Sequence, residues 1–492
     1  MEISRVLLQI WEFLQQWYWI PLLLIYGGVL TTILLGNGNP TKTKAWILVI
    51  IFIPIVGIIL YYFFGQKFKK EKYFKSLDIK STLEIKRNWD SFNLFSKAEF
   101  DFIRENVGVQ SEVFQLLNHT YSSPPMLNNK VTLLKNGEEK FPKFLDAIRN
   151  AKHHIHLEYY IFNEDDIGNE IINLLIKKSE EGVIVRITTD DFGSPKFNKN
   201  ALKRFENTNV NYQTFLPVHF NSLADSNFRN HRKILIVDGK TAFIGGINIS
   251  DKYINNGKFD LYWRDTSVMI EGDAVNFLQL RFWMNWAMVS GEKFIVNDYD
   301  YLPIQPNNIG KSLVGFAFTS PGSEVQSAVE SMILAIFLAK KKVRLTTPYF
   351  IPSEEFESAL KIAINRRVEV ELILPKKGDS IIVQEASMSF LIRLMKQGLK
   401  VYLYEKGFIH AKTISIDEDI AFVGTVNLDN RSFYINFEIT TVIHDVDFIK
   451  ELNSHFEIDK VDSSILTYNL WKNQPIYRRA FASICRLLAP LL

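Results

Sequence analysis

The sequence predicts an α/β protein made of two repeated halves, preceded by a two-helix hairpin of transmembrane character. Three observations carry that prediction. Apolar patterns of strand and helix period alternate between residues 131 and 465. One ordered set of segments occurs twice, and each set closes on the same polar motif. The first 66 residues contain two long stretches without charge.

The hairpin comes first along the chain. No charged residue lies between Phe13 and Thr41, and the apolar part runs from Trp17 to Leu35. A second uncharged run extends from Ala45 to Gln66. About 20 apolar residues cross the hydrocarbon core as a helix. The segment Gly36 to Lys44 between them is short and polar, which predicts a turn and an antiparallel pair of spans. A cleaved signal peptide is the rival reading. The opening is not basic, however, no A-x-A site follows, and a second span comes next. Only Lys42 and Lys44 lie in the turn, whereas Lys67, Lys69, Lys70, Lys72 and Lys75 follow the second run. The positive-inside rule therefore assigns the whole region after the hairpin to the cytoplasm. The lysine collar also suits anionic lipid headgroups.

Residues 67–130 read as a basic juxtamembrane and connecting segment with short helices. The repeated halves span 131–305 and 306–465. In each, a helix ends in Ala-Lys (Ala151–Lys152, Ala339–Lys340) and a strand follows (His154 to Phe162, Val343 to Ile351). An amphipathic helix comes next (Gly168 to Gly182, Glu354 to Arg366), then an apolar strand (Val183 to Thr188, Val368 to Leu374), then the motif strand. Residues 466–492 form an amphipathic basic tail, with apolar positions at Ile476, Ala480, Ile484, Leu487, Leu488 and Leu491. That tail either lies in a membrane interface or packs on the repeated halves. A net charge of +3 offers no bulk polycation for nucleic acid, and the single Cys485 excludes an internal disulfide.

The repeated motif is the centre of the reading. His231, Lys233 and Asp238 recur in the same spacing as His410, Lys412 and Asp417. Gly245 and Asn248 follow the first set at the offsets at which Gly424 and Asn427 follow the second. By chance a given His finds Lys and Asp at those offsets on the order of once in a few hundred trials. His and Lys two apart on a strand share a face. Two such faces brought together surround one phosphate with imidazoles, ammonium groups and amides, a set suited to breaking and remaking a phosphodiester. Asp238 and Asp417 fall on the opposite parity, which predicts a role at the strand end and its turn. The rings also need an acceptor at Nδ1. His153, His154 and His156 resemble a metal cluster, but strand alternation aligns only His154 with His156, and a strand position is the competing use. Asp190–Asp191 follows a strand end, where a turn or cap competes with cation binding.

These residues resemble the phospholipase D superfamily, and the longer stretches are similar to bacterial cardiolipin synthases. The segments concerned are Asn227 to Ile234, Gly245 to Asn248, Tyr262 to Asp265, Gly407 to Lys412, Asn427 to Phe433 and His156 to Phe162. Thr425 stands where the family more often has Ser, and Thr189 where it more often has Tyr. The resemblance implies two pseudo-symmetric phospholipase D-like lobes, each a mixed sheet flanked by helices, sharing one active site at their seam. It implies a phosphohistidine intermediate, with His231 as nucleophile by analogy and His410 as acid and base. Lys233, Lys412, Asn248, Asn427 and Thr425 are the candidates to hold the phosphate. The resemblance gives Glu438 as the partner of one His; Asp265 is the candidate for the other, with Glu158 as an outer residue. The implied reaction joins two phosphatidylglycerol molecules into cardiolipin and glycerol in the bacterial cell membrane, with no metal or cofactor and no nucleic acid. A phospholipase, a nuclease of the same superfamily and an inactive membrane scaffold are the alternatives.

Overall fold

The computed structural model describes residues 16–17, 19–35, 40–61, 97–121, 123–215, 228–292, 301–321, 323 and 325–489. The N-terminal helices belong to one compact unit, and all described residues from Lys97 onward belong to another. The lysine collar and the rest of the connecting segment up to residue 96 lie outside the described residues.

The N-terminal unit holds α1 (Trp19–Leu35), α2 (Pro40–Phe52) and α3 (Pro54–Leu60). Ile33 of α1 is buried with Ile50 and Tyr61, and the Tyr26 hydroxyl donates to the Ile50 carbonyl at 2.7 Å. The outward side chains, Leu24, Leu35, Phe52 and Ile55 among them, are apolar and exposed. Two expectations are corrected here. The second apolar run is not one helix, because Pro54 has no N–H to donate and the backbone breaks at Ile53 (φ −132°, ψ 72°). Pro40 to Lys44, predicted as turn, is helical, since proline's fixed φ suits the first position of a helix. Among the described residues no helix is long and apolar enough to cross a membrane.

The second unit opens with α4 (Lys97–Val107) and α5 (Ser111–Tyr121). The first half then runs β1 (Met126–Lys135), α6 (Asn136–Asn150), β2 (His154–Tyr159), α7 (Asp166–Glu180), β3 (Ile184–Asp190), α8 (Pro195–Phe205), β4 (Val210–Phe215), β5 (Lys233–Val237), β6 (Thr241–Gly245), β7 (Tyr262–Arg264), β8 (Thr266–Gly272) and α9 (Asp273–Ser290). The second half runs β9 (Ser312–Thr319), α10 (Ser327–Leu338), β10 (Lys342–Thr346), β11 (Phe350–Ile351), α11 (Glu354–Asn365), β12 (Glu369–Pro375), α12 (Ile381–Met395), β13 (Lys400–Tyr404), β14 (Gly407–Ile409), β15 (Thr413–Ile416), β16 (Ile420–Gly424), β17 (Leu428–Asp429), α13 (Asn430–Tyr434), β18 (Glu438–His444) and α14 (Val446–Val461). Edge strand β19 (Ser463–Leu466), α15 (Tyr468–Lys472) and α16 (Ile476–Leu487) end the described chain.

The halves do not form separate sheets. One 15-stranded sheet runs through both, in the order β19-β13-β12-β10-β15-β16-β18-β9-β1-β8-β6-β5-β2-β3-β4. Read outward from the antiparallel β1/β9 pair, the two arms carry equivalent strands in the same order. Each arm is antiparallel near the middle and parallel at β2-β3-β4 or β10-β12-β13, so the sheet is mixed. Helices cover both faces, because side chains of opposite parity on each strand are apolar and buried.

The motif aspartates close each motif strand. Asp238 and Asp417 sit at φ 53° and 55°, a region that Asp tolerates better than most residues. The Asp238 carboxylate accepts from the backbone N–H groups of Lys152, His153 and His154 at 2.8–2.9 Å. Asp417 accepts from Lys340, Lys341 and Lys342 at 2.7–2.8 Å. Each therefore ties the end of its motif strand to the start of the neighbouring strand, β2 or β10. Asp417→Ala is expected to lower unfolding stability by about 1.5–3 kcal/mol, the range for hydrogen bonds to a charged group, and Asp417→Asn by less. Denaturant melts of the three proteins check this; an unchanged alanine variant would remove the tie.

Candidate active site

The seam between the halves is built from backbone as well as side chains. The His231 N–H donates to the Phe437 carbonyl, and the Phe437 N–H returns to the Arg229 carbonyl, both at 2.9 Å. On the other side the His410 N–H donates to the Arg264 carbonyl at 2.7 Å, and β14 pairs in parallel with β7. Each motif histidine is thus stitched to the opposite half before its side chain is considered.

The side chains cross in the same sense. His231 Nδ1 lies 2.9 Å from a carboxylate oxygen of Glu438, on β18 of the second half. His410 Nδ1 lies 2.7 Å from Asp265, between β7 and β8 of the first half. A carboxylate only accepts, so each Nδ1 carries the proton and each Nε2 is left for the cavity. Gly246 makes room for Asp265: a Cβ there would come within 2.1 Å of its carboxylate oxygen. Glu438 is further held by the Thr425 hydroxyl at 2.6 Å and the Asn436 amide at 3.1 Å. Thr425, expected at the phosphate, is wholly buried and gives its hydroxyl to Glu438.

Both histidines line one cavity of about 520 Å³, together with Asn248 and Asn427. Burial pushes the pKa of each ring below the ordinary value, and the partner carboxylates only partly reverse this. Burial raises the carboxyls, but His231 beside Glu438, and His410 and Lys412 beside Asp265, outweigh it and hold both below the usual range. The lysines lie beneath the histidines: Lys233 Nζ donates to the His231 carbonyl at 2.6 Å and Lys412 Nζ to that of His410. Burial brings Lys233 down to about 7 and Lys412 to about 8. Asn248 donates to the Tyr253 hydroxyl at 2.8 Å, while the buried amide oxygen of Asn427 has no hydrogen-bond partner. Glu158 accepts from Asn230 at 2.7 Å and steadies the loop before His231.

Several residues of the site carried no motif. Lys140 on α6 is buried and donates to the Tyr159 hydroxyl at 2.9 Å and to the Ile247 carbonyl, next to Asn248, at 2.6 Å. Its signal was a lysine in register with the apolar stripe Phe141, Phe144, Leu145 and Ile148. Arg229, Arg431, Lys252, Tyr160, Trp263 and Asp379 also line the cavity. The Lys252 ammonium sits 3.9 Å over the Trp263 ring, and the Tyr349 hydroxyl donates to Asp379 at 2.5 Å. Lys140, Lys233, Lys412, Lys252, Arg229 and Arg431 outnumber the carboxylates Asp265, Glu438, Asp429 and Asp379 in and beneath the cavity, so the site favours an anion.

The other candidates lie elsewhere. His154 and His156 are bridged by Gln279 at 3.0 and 2.7 Å, and His156 stacks on Phe282 with ring centroids 4.4 Å apart. Asp190 accepts from the backbone N–H groups of Phe192, Gly193 and Asn230 at 2.8–2.9 Å, which makes it both a turn residue and a tie to the motif loop. Thr189 shares a hydrogen-bonded cluster with Asn198 and Tyr212, at 2.6 and 2.9 Å.

This geometry brings two histidines, each braced at Nδ1 with Nε2 clear of its carboxylate, into one cavity above buried lysines, a set that suits displacement at phosphorus. Comparison with known proteins agrees. The family described as "Cardiolipin synthase, PLD-like domain" matches residues 144–274 and 332–460, and "Phospholipase_D-nuclease N-terminal" matches 17–66. The chain is 35% identical to the cardiolipin synthase of Alkalihalophilus pseudofirmus over 491 residues, covering 100% of this chain and 96% of that protein. It is 35% identical to the major cardiolipin synthase ClsA of Bacillus subtilis over 463 residues, 92% of this chain and 94% of that protein. The crystal structure of phosphatidylserine synthase from Haemophilus influenzae Rd KW20 shares the fold, with a TM-score of 0.60 at 16% identity over 78% of this chain and all of that one.

Glu438→Gln and Asp265→Asn keep side-chain shape but remove an acceptor-only partner. Each is expected to lower kcat by about 10²- to 10⁴-fold, the usual contribution of acid–base catalysis, with little change in KM. Steady-state kinetics on a phosphodiester lipid checks this; a variant with parental kcat would end the orienting role of that carboxylate.

Proposed function

The chain belongs to the cardiolipin synthase family of phospholipase D-like proteins, and we propose that it transfers a phosphatidyl group from one phosphatidylglycerol to another through a phosphohistidine. The observation that carries this reading is the crossed pair of braced histidines lining one cavity. In the first step Nε2 of His231 attacks phosphorus and the bond to the headgroup glycerol breaks. His410, protonated as the anionic phosphodiester enters, gives its proton to that glycerol oxygen. In the second step neutral His410 takes a proton from a hydroxyl of the second phosphatidylglycerol. The freed oxygen attacks phosphorus, His231 leaves, and cardiolipin is formed with His410 protonated again.

The residues divide the remaining work. The Lys233 and Lys412 ammoniums supply positive charge beneath the phosphoryl oxygens, and a bound anion raises their pKa and keeps them charged. Asn248 and Asn427 face the phosphate with amide donors. Two phosphodiesters take part in each turnover, and Arg229, Arg431 and Lys252 line the cavity where the second headgroup enters. Purified protein in phosphatidylglycerol micelles is expected to release cardiolipin and glycerol in equal amounts. Phosphatidic acid as the main product identifies a hydrolase instead. His410→Ala is expected to accumulate a phosphatidyl adduct on His231, read by mass spectrometry after brief exposure to lipid; an adduct on another residue, or none, overturns the nucleophile assignment.

We read the N-terminal unit as a membrane anchor crossing twice, α1 in one direction and the α2–α3 pair in the other. Its exposed apolar side chains and the absence of charge from Ala45 to Gln66 support this. By the positive-inside rule, the lysines that follow Gln66 in the sequence support a catalytic region on the cytoplasmic side. In a Cys485→Ser background, an impermeant maleimide applied to spheroplasts is expected to label Asn37→Cys directly and Ser76→Cys only after permeabilisation. Labelling of both positions, or of neither, before permeabilisation rejects the two-pass arrangement.

A further inference from the structure

The C-terminal helix settles on the catalytic unit by one face only. Ala482 and Cys485 of α16 and the following Ala489 are buried in the core of the second half, with Trp471. Arg478 holds Glu385 on α12 by two bonds to one oxygen, at 2.9 and 3.1 Å. The chain just past the helix is tied to the segment that supplies part of the cavity wall: the Asn430 amide donates to the Ala489 carbonyl at 3.4 Å, and Asn430 lies in sequence between the cavity residues Asp429 and Arg431. The partner helix α12 reaches the cavity itself, since Asp379, Ser380 and Val383 line the cavity at its start.

The outward face is apolar. Ile381 of α12 is 72% exposed, Tyr477 75% and Leu487 73%, and Ile382, Phe481 and Ile484 are exposed beside them. On the α16 side the charges have one sign: Lys472, Arg478, Arg479 and Arg486 lie between Ser463 and Leu492, a stretch with no Asp or Glu, while at the start of α12 Glu385 is paired with Arg478 and Asp379 faces the cavity. An apolar face with basic residues beside it, joined to the cavity that takes a phospholipid headgroup, has the character of an interfacial helix.

We propose that α16 and the start of α12 form an apolar rim by which the mouth of the active site sits in the interface of an anionic phospholipid bilayer. The proposal rests on the phospholipid reading of the cavity. A lipid whose phosphate lies between His231 and His410 has two acyl chains that leave through the mouth, and the rim offers them a path without contact with water. Two measurements on the full chain in phosphatidylglycerol nanodiscs test it. A nitroxide on Leu487→Cys, in a Cys485→Ser background, is expected to be reached by oxygen and shielded from an aqueous nickel chelate. Accessibility to the chelate, or shielding from both reagents as under a protein partner, overturns the rim. The double variant Ile484→Asp/Leu487→Asp is expected to lose about tenfold or more in cardiolipin formation from long-chain lipid in bilayers, while turnover of monomeric dihexanoyl phosphatidylglycerol stays parental. Equal activity on both substrates, or equal loss on both, overturns it. If the parent makes no cardiolipin from either substrate, the transferase reading fails and the nitroxide alone decides the rim.

Discussion

Each motif histidine is held by a carboxylate that belongs to the other half of the molecule. Glu438 on β18 serves His231, and Asp265 beside β8 serves His410. The consequence is that neither half contains a working imidazole by itself. An unbraced ring rotates and changes tautomer, and a catalytic His in the wrong tautomer presents N–H where a lone pair is required. The crossing also sets the distance at which the rings face each other, since it comes with paired backbone at β7/β14 and at Asn230/Phe437. One continuous sheet through β1 and β9 then keeps the two braces in register.

The charge arrangement depends on the same crossing. Three buried lysines lie under a site whose compensating carboxylates are already engaged by histidines. Burial lowers the lysine pKa values to near neutrality, which means the empty floor holds its protons weakly. A phosphodiester entering that space adds negative charge, which favours the protonated form of the lysines and of a ring whose pKa burial has lowered.

Much of this was legible in the chain. The duplicated His-Lys-Asp spacing, the strand–helix alternation and the parity of Asp238 and Asp417 follow from local periodicity, which is set by backbone geometry. Glu438 and Asp265 were legible only through resemblance, because partners on different strands have no fixed sequence offset. The bond from Thr425 to Glu438 was hidden for a related reason: proximity to Asn427 in sequence does not say which side of a strand end a hydroxyl takes. Lys140 was overlooked because a lysine in an apolar stripe reads as a tolerated exception. Only tertiary packing reveals that it bonds the Ile247 carbonyl. The break at Ile53 was available from Pro54 itself, and the uninterrupted hydrophobicity on either side concealed it.

The pseudo-symmetry stops at the cavity walls. The braces, the lysines beneath, the asparagines and the cations four residues after them, Lys252 and Arg431, repeat in both halves, yet the other flanking residues do not. Beside His231, whose ring meets Tyr160 at 4.8 Å between centroids, stand Arg229 and Arg431. Beside His410 stand Trp263, at 5.8 Å, Lys252 over that ring, and Asp379 bonded by Tyr349. One end presents two guanidiniums and the Tyr160 ring, the other an ammonium, a carboxylate and the Trp263 and Tyr349 rings. In the two-step course the covalent phosphatidyl group fills the phosphoryl position before the second lipid reacts, so that lipid can offer only its hydroxyl, and the unequal walls bear on how its headgroup is held.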